Sequence, residues 1–258
     1  CTYNRSESLE KTLQSLLQQE NCNNLNYEVI VIDNNSTDKT KEIVENFNGT
    51  TGGKIRYALE TNQGLSFARN KGINAAKGKT ISFIDDDIVL PNNFINNVCY
   101  EFSKLDLTTV CLTGRVEMYQ GTKYSSSTKI STCEQSYKFP HDPWGIGCGN
   151  NMHFRKDIFN KVGFFDVNLG AGTKLKAGED IDMFYRILKD KYLIKYCPKI
   201  LAYHNHSRND LSEISKIRIN YGIGAGSFYA KYLLRFDLFI IKNYFSYFIC
   251  YAKELVNI

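Results

Sequence analysis

The chain has few of the features that mark several common protein classes. Its eight cysteines form no C-x-x-C pair and no metal-ligand spacing, which argues against a zinc site and favours a reducing, cytoplasmic compartment. Its 32 lysines and arginines form no dense basic stripe, so we expect no nucleic-acid partner. The net charge of +5 is mild and suits anionic partners such as nucleotide phosphates.

The chain also lacks the run of ~18–20 apolar residues that a membrane-spanning helix requires. Its most apolar stretch, residues 236–252, is interrupted by Asp237, Lys242 and Asn243. Residues 211–258 combine aromatic and basic side chains in a helical pattern. This pattern predicts either a peripheral helix at the inner face of the plasma membrane or packing against the domain, and we keep both alternatives.

Strand and helix patterns alternate through about the first 115 residues, as expected of a sheet with crossover helices. The opening segment, residues 1–5, reads as the end of a strand and indicates a chain truncated at its N-terminus. We predict a first half over residues 1–116, a second half of the same domain over 117–208, and a helical tail over 209–258.

The most informative stretch is ISFIDDDIVLPNNF at residues 81–94. An apolar strand delivers Asp85, Asp86 and Asp87 to its end, and three adjacent anions repel each other unless a positive group lies among them. Ligands of open α/β sheets bind at the carboxyl ends of strands, and hard divalent cations prefer carboxylate oxygens and phosphate. The cluster therefore predicts a metal–phosphate site. The alternative is a solvated acidic turn before a helix that has Pro91 in its first turn.

Two further residues are candidates for nucleotide binding. Asp33 ends the second predicted strand, where its carboxylate could accept a base N–H or a ribose hydroxyl, or could serve as a turn residue before a helix cap. Arg69 lies one turn into a helix that begins near Gly64, from which it could reach a nucleobase carbonyl or a phosphate. Considered alone, Arg69 is better explained as an ordinary surface arginine.

Later segments supply candidate catalytic and sugar-binding groups. Glu179 and Asp180 open an amphipathic helix, where acids are expected, but a metal-free carboxylate is also what hydroxyl activation requires. His204 and His206 share one face of a strand and could bind a metal, or one of them could be a surface residue. Trp144 offers a flat surface for a sugar ring or an anchor for the core.

The order of these pieces along residues 1 to about 207 resembles the family 2 glycosyltransferases, which are inverting enzymes. The resemblance implies an α/β fold of the GT-A type: a three-layer α/β/α sandwich with a central mixed, mostly parallel sheet, here followed by C-terminal helices. It also implies Mn²⁺ or Mg²⁺ as the cofactor.

The resemblance assigns roles to individual residues. The nucleotide would be bound by Thr2, Tyr3, Arg5, Asp33, Arg69, Asp85 and Asp86. The metal would be bound by Asp87, with His204 either as a further ligand or as a phosphate contact. The donor sugar would be lined by Gly149, Asn150 and Asn151. Asp180 resembles the catalytic base of the family, with Glu179 beside it.

The predicted function is transfer of a sugar from a nucleotide-diphospho-sugar to an acceptor hydroxyl, with a UDP-sugar as the default donor. The acceptor would be a saccharide or a lipid-linked molecule in cell-surface polysaccharide or glycolipid synthesis. One alternative is a haloacid-dehalogenase-type phosphohydrolase, because DDDIV at residues 85–89 also fits D-x-D-x-V after a strand. Another is a catalytically silent module that binds a nucleotide-sugar.

Overall fold

The structure, a computed structural model, describes residues 1–20, 25–120, 126–206 and 210–244. The α-helices are α1 (Ser6–Leu17), α2 (Thr40–Thr50), α3 (Leu65–Ala75), α4 (Phe94–Ser103), α5 (Phe159–Val162), α6 (Glu179–Lys189) and α7 (Leu211–Leu233). The strands are β1 (Val29–Asp33), β2 (Ile55–Leu59), β3 (Thr80–Ile84), β4 (Ile88–Val89), β5 (Thr109–Met118), β6 (Gln135–Tyr137), β7 (Asn151–Arg155) and β8 (Leu193–His204). Pro91 lies in the turn before α4 rather than in its first turn, as the hydrogen bond from Phe94 N to Pro91 O shows.

The strands form a parallel pair, β1 and β2, and a six-stranded sheet in the order β3-β7-β5-β8-β4, with β6 also on β8. The predicted mixed sheet is confirmed, but it is not mostly parallel. Among the described strands, the β1–β2 and β5–β8 pairs are parallel, whereas β3–β7, β5–β7, β4–β8 and β6–β8 are antiparallel. The difference arises because β7 runs back between β3 and β5, and because the short strands β4 and β6 run against β8.

Helices cover both faces of the sheet, as the predicted layers require. On one face, Cys111 of β5 belongs to a large core with residues of α6 and α7 such as Phe184 and Phe228. On the other face, the next residue, Leu112, packs with α4 residues such as Val98. Burial on both faces explains why the central strands are apolar almost without interruption.

Strand β8 continues through Pro198. The pairing of β5 with β8 shifts between Gly114 and Arg115, and three residues of β8 bulge out at this point. The Asn151 side chain holds the bulge, because its Nδ2 donates to Arg115 O and to Ile200 O at 3.0 Å each. A Cβ at Gly114 would lie 2.2 Å from that nitrogen, so the position requires glycine.

The C-terminal helix α7 crosses the start of α6. A Cβ at Gly224 would lie 2.7 Å from Ala177, so only glycine allows this approach. Buried Asp182 of α6 accepts hydrogen bonds from Lys231 Nζ at 2.6 Å and Tyr232 OH at 2.8 Å. The described part of the predicted tail therefore packs against the domain. Within the described residues, no helix combines the length and apolar character needed to cross a membrane.

Histidine 153 makes the stability of this fold depend on pH. Its ring is fully buried on β7, with Nδ1 2.8 Å from Ser82 Oγ and Nε2 2.9 Å from Asn151 Oδ1. Burial lowers the pKa of His153 to about 3. Between about pH 6.5 and pH 3 the unfolded chain binds a proton at this residue that the folded chain excludes, so the free energy of unfolding falls as pH drops through this window.

We expect the wild type to lose about 1 kcal/mol more unfolding free energy than the His153→Gln variant between pH 7 and pH 5.5. Urea denaturation at both pH values measures this difference. His141→Gln is the control, because His141 is exposed and that variant should keep the wild-type dependence. Equal pH dependence in the wild type and His153→Gln would contradict the assignment.

Candidate active site

The three consecutive aspartates form a folded turn between β3 and β4. Asp86 and Asp87 are buried, and the Asp86 carbonyl accepts a hydrogen bond from Thr12 Oγ1 of α1 at 3.0 Å. Arg5 Nη1 lies 3.1 Å from Asp86 Oδ1 and 2.9 Å from Asp87 Oδ2. Arg5 therefore supplies the positive charge that adjacent carboxylates require, and this pairing across about eighty residues leaves no signal in the sequence.

His204 lies directly beside this turn. Antiparallel pairing places Ile88 of β4 opposite His204, the last residue of β8, so that His204 Nε2 is 3.3 Å from Asp87 Oδ1. Burial alone would lower the pKa of His204, but its hydrogen bond to Asp87 and the charge of that carboxylate outweigh burial and raise it. The ring centroid of His206 is 4.8 Å away, so the two histidines share one face as predicted.

Asp33 lies next to the first residues of the chain. Thr2 forms a parallel bridge with Asp33, and Asn34 N donates to Thr2 O at 2.9 Å. The Asp33 carboxylate accepts hydrogen bonds from Ser36 N and from Tyr57 OH, each at 2.8 Å. Thr2 and Asp33 are buried, while Tyr3 is exposed. Three of the residues predicted to bind the nucleotide therefore lie together. Sequence reasoning missed Tyr57, although its place on the strand paired with β1 is a usable signal.

Arg69 is almost fully buried, with only 2% of its surface exposed, and is not the surface arginine that its motif alone favours. Its Nη1 lies 2.6 Å from Glu179 Oε1, and its Nη2 lies 3.5 Å from Asp85 Oδ1. The same Nη2 donates to Gly149 O at 3.1 Å. The guanidinium also lies over the Phe165 ring, 5.5 Å from its centroid. Arg69 thus connects the end of β3, the loop before β7 and the start of α6.

Glu179 and Asp180 occupy different environments in the first turn of α6. Burial raises the pKa of both carboxyl groups, and the charge of Arg69 opposes this shift. Glu179 is paired with Arg69, whereas Asp180 Oδ1 accepts a hydrogen bond from Ile181 N at 2.8 Å. A Cβ at Gly149 would lie 3.0 Å from both Asp180 Oδ2 and Arg69 Nη2. The wall of the site is therefore bare backbone where Asp180 faces it.

The residues predicted to contact the sugar have different surroundings in the structure. Asn150 is buried, and its Oδ1 has no hydrogen-bond partner among the described residues. Asn151 is fully buried, with its Nδ2 bonded within the β5–β8 bulge and its Oδ1 2.9 Å from His153 Nε2. These contacts give Asn151 a structural role, and a sugar contact by Asn151 stays a prediction. Trp144 packs edge to face against Phe228 of α7 at 5.8 Å between centroids, which fits the anchoring alternative. A sugar contact by Trp144 stays a prediction.

A second group of ligand-type side chains lies outside this site. Glu101, Glu134 and Cys197 bring their ligand atoms within 4.8 Å of one another. Lysines already neutralise the two carboxylates, with Lys104 Nζ 3.3 Å from Glu101 and Lys195 Nζ 2.9 Å from Glu134. Burial raises the pKa of the Cys197 thiol, which disfavours the thiolate that a metal would need. We therefore treat this group as structural.

Comparison with known proteins identifies the family. The chain matches the glycosyl transferase family 2 model over residues 1–163. It is 36% identical over 220 residues to the uncharacterized glycosyltransferase EpsJ of Bacillus subtilis, covering 82% of this chain and 61% of EpsJ. It is 28% identical over 216 residues to the minor teichoic acid biosynthesis protein GgaB of the same organism, covering 81% of this chain and 22% of GgaB. The chain belongs to glycosyl transferase family 2, as its motifs predict.

Solved structures show the same fold. The mannosyltransferase PcManGT of Pyrobaculum calidifontis, in complex with GDP-Man and Mn²⁺, superposes with a TM-score of 0.65 at 18% identity, covering 90% of this chain and 62% of that one. TarS of S. aureus, residues 1–349 with UDP-GlcNAc, gives a TM-score of 0.61 at 19% identity, covering 81% and 58%. The fold is therefore of the GT-A type. The chain spans between 22% and 64% of the length of the curated relatives it matches.

The buried ion pair of Arg69 generates a stability prediction. The Arg69→Met variant should lose about 3 kcal/mol of unfolding free energy at pH 7, because it leaves Glu179 buried without its counter-ion. Arg56→Met is a matched control, since the Arg56–Glu28 pair is partly exposed and should contribute at most about 1 kcal/mol. Urea denaturation measures the unfolding free energy that each variant loses. Equal losses would show that the Arg69–Glu179 pair contributes no more to stability than a partly exposed ion pair.

Proposed function

We propose that this chain is an inverting glycosyltransferase that moves a sugar from a nucleotide-diphospho-sugar to an acceptor hydroxyl in the synthesis of a cell-surface polysaccharide or glycolipid. The observation that carries the proposal is that one buried guanidinium, Arg69, joins the aspartates after β3 to the turn that bears Asp180. Arg69 thus lies between Asp85, the first of the three aspartates proposed to face the donor, and the helical turn that bears the proposed base. The similarity to GgaB, named for teichoic acid biosynthesis, supports a polymer as the product.

The donor nucleotide would bind along the ends of β1 and β3. Thr2, Tyr3 and Asp33 lie together, and each Asp33 oxygen keeps a lone pair for a base N–H beyond its internal hydrogen bond. Asp85 and Asp86 would address the ribose, with Arg5 holding Asp86 in place. PcManGT is described with GDP-Man and TarS with UDP-GlcNAc, and we keep a UDP-sugar as the default donor. A thermal-shift panel of sugar nucleotides would identify the nucleobase that the chain binds.

Asp87 and His204 fit a divalent cation, because Arg5 contacts Oδ2 of Asp87 and the other oxygen, Oδ1, faces His204 Nε2. They bring a carboxylate oxygen and an imidazole nitrogen within 3.3 Å of each other at the strand ends. Carboxylate suits both Mg²⁺ and Mn²⁺, whereas an imidazole ligand is more compatible with Mn²⁺, the ion in the PcManGT complex. A cation held there would offset the negative charge that develops on the departing diphosphate.

Asp180 would act as the general base. Burial raises its pKa and so makes the carboxylate more basic, while the charge of Arg69 favours the ionised form. In the proposed reaction, Asp180 accepts the proton of the acceptor hydroxyl as that oxygen bonds to the anomeric carbon. The bond to the diphosphate breaks on the opposite side, so the configuration inverts. Retention would need a free nucleophilic carboxylate, and Glu179 is bound to Arg69.

We infer that Glu179 is a positioning residue rather than a second acid or base. It holds Arg69 Nη1, while Arg69 Nη2 holds the Gly149 carbonyl. The Asp180 carboxylate faces the same glycine. Through these contacts Glu179 fixes the distance between the donor-side loop and the base.

The Asp180→Asn variant should lose transfer by about 10²–10⁴-fold while donor affinity changes little, because the amide keeps the shape but cannot accept the proton. Transfer is measured by product formation and donor binding by calorimetry. Asp157→Asn, an exposed acid outside the site, is the control. If the variant lost transfer and donor binding equally, Asp180 would not be the general base. If the wild type bound the donor but transferred no sugar, the chain would be a catalytically silent binding module.

Removing the metal with a chelator should test the proposed metal site independently of the general base Asp180. We expect EDTA to weaken binding of a nucleoside diphosphate to the wild type by about tenfold or more, but not binding of the nucleoside alone. Asp87→Asn and His204→Gln should bind the diphosphate weakly with or without EDTA, whereas His141→Gln should respond like the wild type. Calorimetric titrations measure these affinities. Unchanged diphosphate affinity after chelation would contradict a metal at Asp87.

A further inference from the structure

A cavity of about 670 Å³ lies between the loop before α6 and helix α7. None of the site residues assigned above lines it. Its lining residues are Gln63, Asp166, Val167, Asn168, Leu169, Thr173, Lys174, Leu175, Ser227, Ala230, Lys231 and Arg235. The cavity is therefore lined by residues other than those assigned to sugar transfer.

The walls of this cavity carry excess positive charge. Three cations and one acid line it, and Lys231 is balanced because its Nζ lies 2.8 Å from Asp166 and 2.6 Å from Asp182. Lys174 and Arg235 are exposed and form no ion pair within the part of the chain that the structure describes. Two uncompensated cations beside hydroxyl and amide groups suit an anion such as a phosphate.

An ordered apolar tip adjoins the cavity. Leu234, Phe236 and Leu238 are 80%, 81% and 80% exposed, and Arg235, which lines the cavity, lies between the first two. The turn is well anchored, because Asp237 is buried and paired with a lysine of α6. Phe236 has a φ of +53°, a left-handed conformation that is rare for a bulky residue. A fixed turn thus presents three apolar side chains to solvent.

We propose that the cavity and this tip together bind one anionic lipid, with its phosphate between Lys174 and Arg235 and its hydrocarbon against Leu234, Phe236 and Leu238. A soluble anion would leave the exposed tip unexplained. An uncharged bilayer would leave the two cations unexplained. A lipid phosphate satisfies both at once, because the charged and apolar parts of the surface meet at Arg235. The proposal goes beyond sugar transfer and does not depend on it.

Vesicle co-sedimentation of the full chain tests this proposal without any donor. We expect binding to phosphatidylcholine vesicles that contain phosphatidic acid, and binding weaker by about tenfold or more to phosphatidylcholine alone. The Lys174→Gln/Arg235→Gln variant should lose the preference for phosphatidic acid. The Leu234→Ser/Phe236→Ser variant should lose vesicle binding yet keep its calorimetric affinity for soluble glycerol phosphate.

Two control variants each change one exposed residue of the same kind away from the cavity and the tip. Lys161→Gln removes an exposed lysine elsewhere, and Leu107→Ser removes a leucine that is 82% exposed. Both should bind vesicles like the wild type. The proposal would be overturned if the controls lost as much vesicle binding as the test variants. It would also be overturned if both vesicle types bound equally, or if glycerol phosphate bound as tightly as the lipid. Circular dichroism confirms that each variant is folded, and transfer to a soluble saccharide tests the proposed function separately.

Discussion

The guanidinium of Arg69 is the contact on which the site depends. It lies buried among the carboxylates of Asp85, Glu179 and Asp180, and these charges raise its pKa although burial alone would lower it. A buried cation with several anions is stable only while the geometry that pairs them is kept, since removing one partner leaves an uncompensated charge. The three chain segments that meet at Arg69 are therefore held in one arrangement. That arrangement sets the Asp180 carboxylate against bare backbone at Gly149.

The second constraint is a backbone irregularity in β8. Strand β8 reaches Asp87 only because it continues through Pro198, and the bulge that accommodates this proline is held by Asn151. Proline lacks the N–H that a regular ladder needs, so a bulge is one of the few places where a strand tolerates it. The position of His204 consequently depends on the side chain of Asn151, which the family resemblance assigns to the donor sugar.

Sequence patterns predict those features of the molecule that are local or periodic. Strand ends and helix starts follow from hydrophobic pattern and turn residues, so Asp33, Asp87 and Asp180 can be located from the amino-acid sequence alone. The contacts of Arg5 with Asp86 and of Arg69 with Glu179 and Gly149 cannot, because they join residues 80 to 110 positions apart and nothing in the local pattern marks them. The same limit applies to Asn151, whose two hydrogen bonds to β5 and β8 appear only once the register of the sheet is known.

The first turn of α6 links the candidate active site to the basic cavity. Successive side chains of a helix point about 100° apart, so residues two positions apart face opposite sides. Asp180 accordingly faces Gly149 and the donor side, whereas Asp182 faces α7 and accepts hydrogen bonds from Lys231 and Tyr232. Lys231 also lines the basic cavity. Any ligand that shifts α7 would therefore act, through Asp182, on the helical turn that carries Asp180. Because the Asp182 carboxylate is fully buried, losing a hydrogen bond from α7 would be costly.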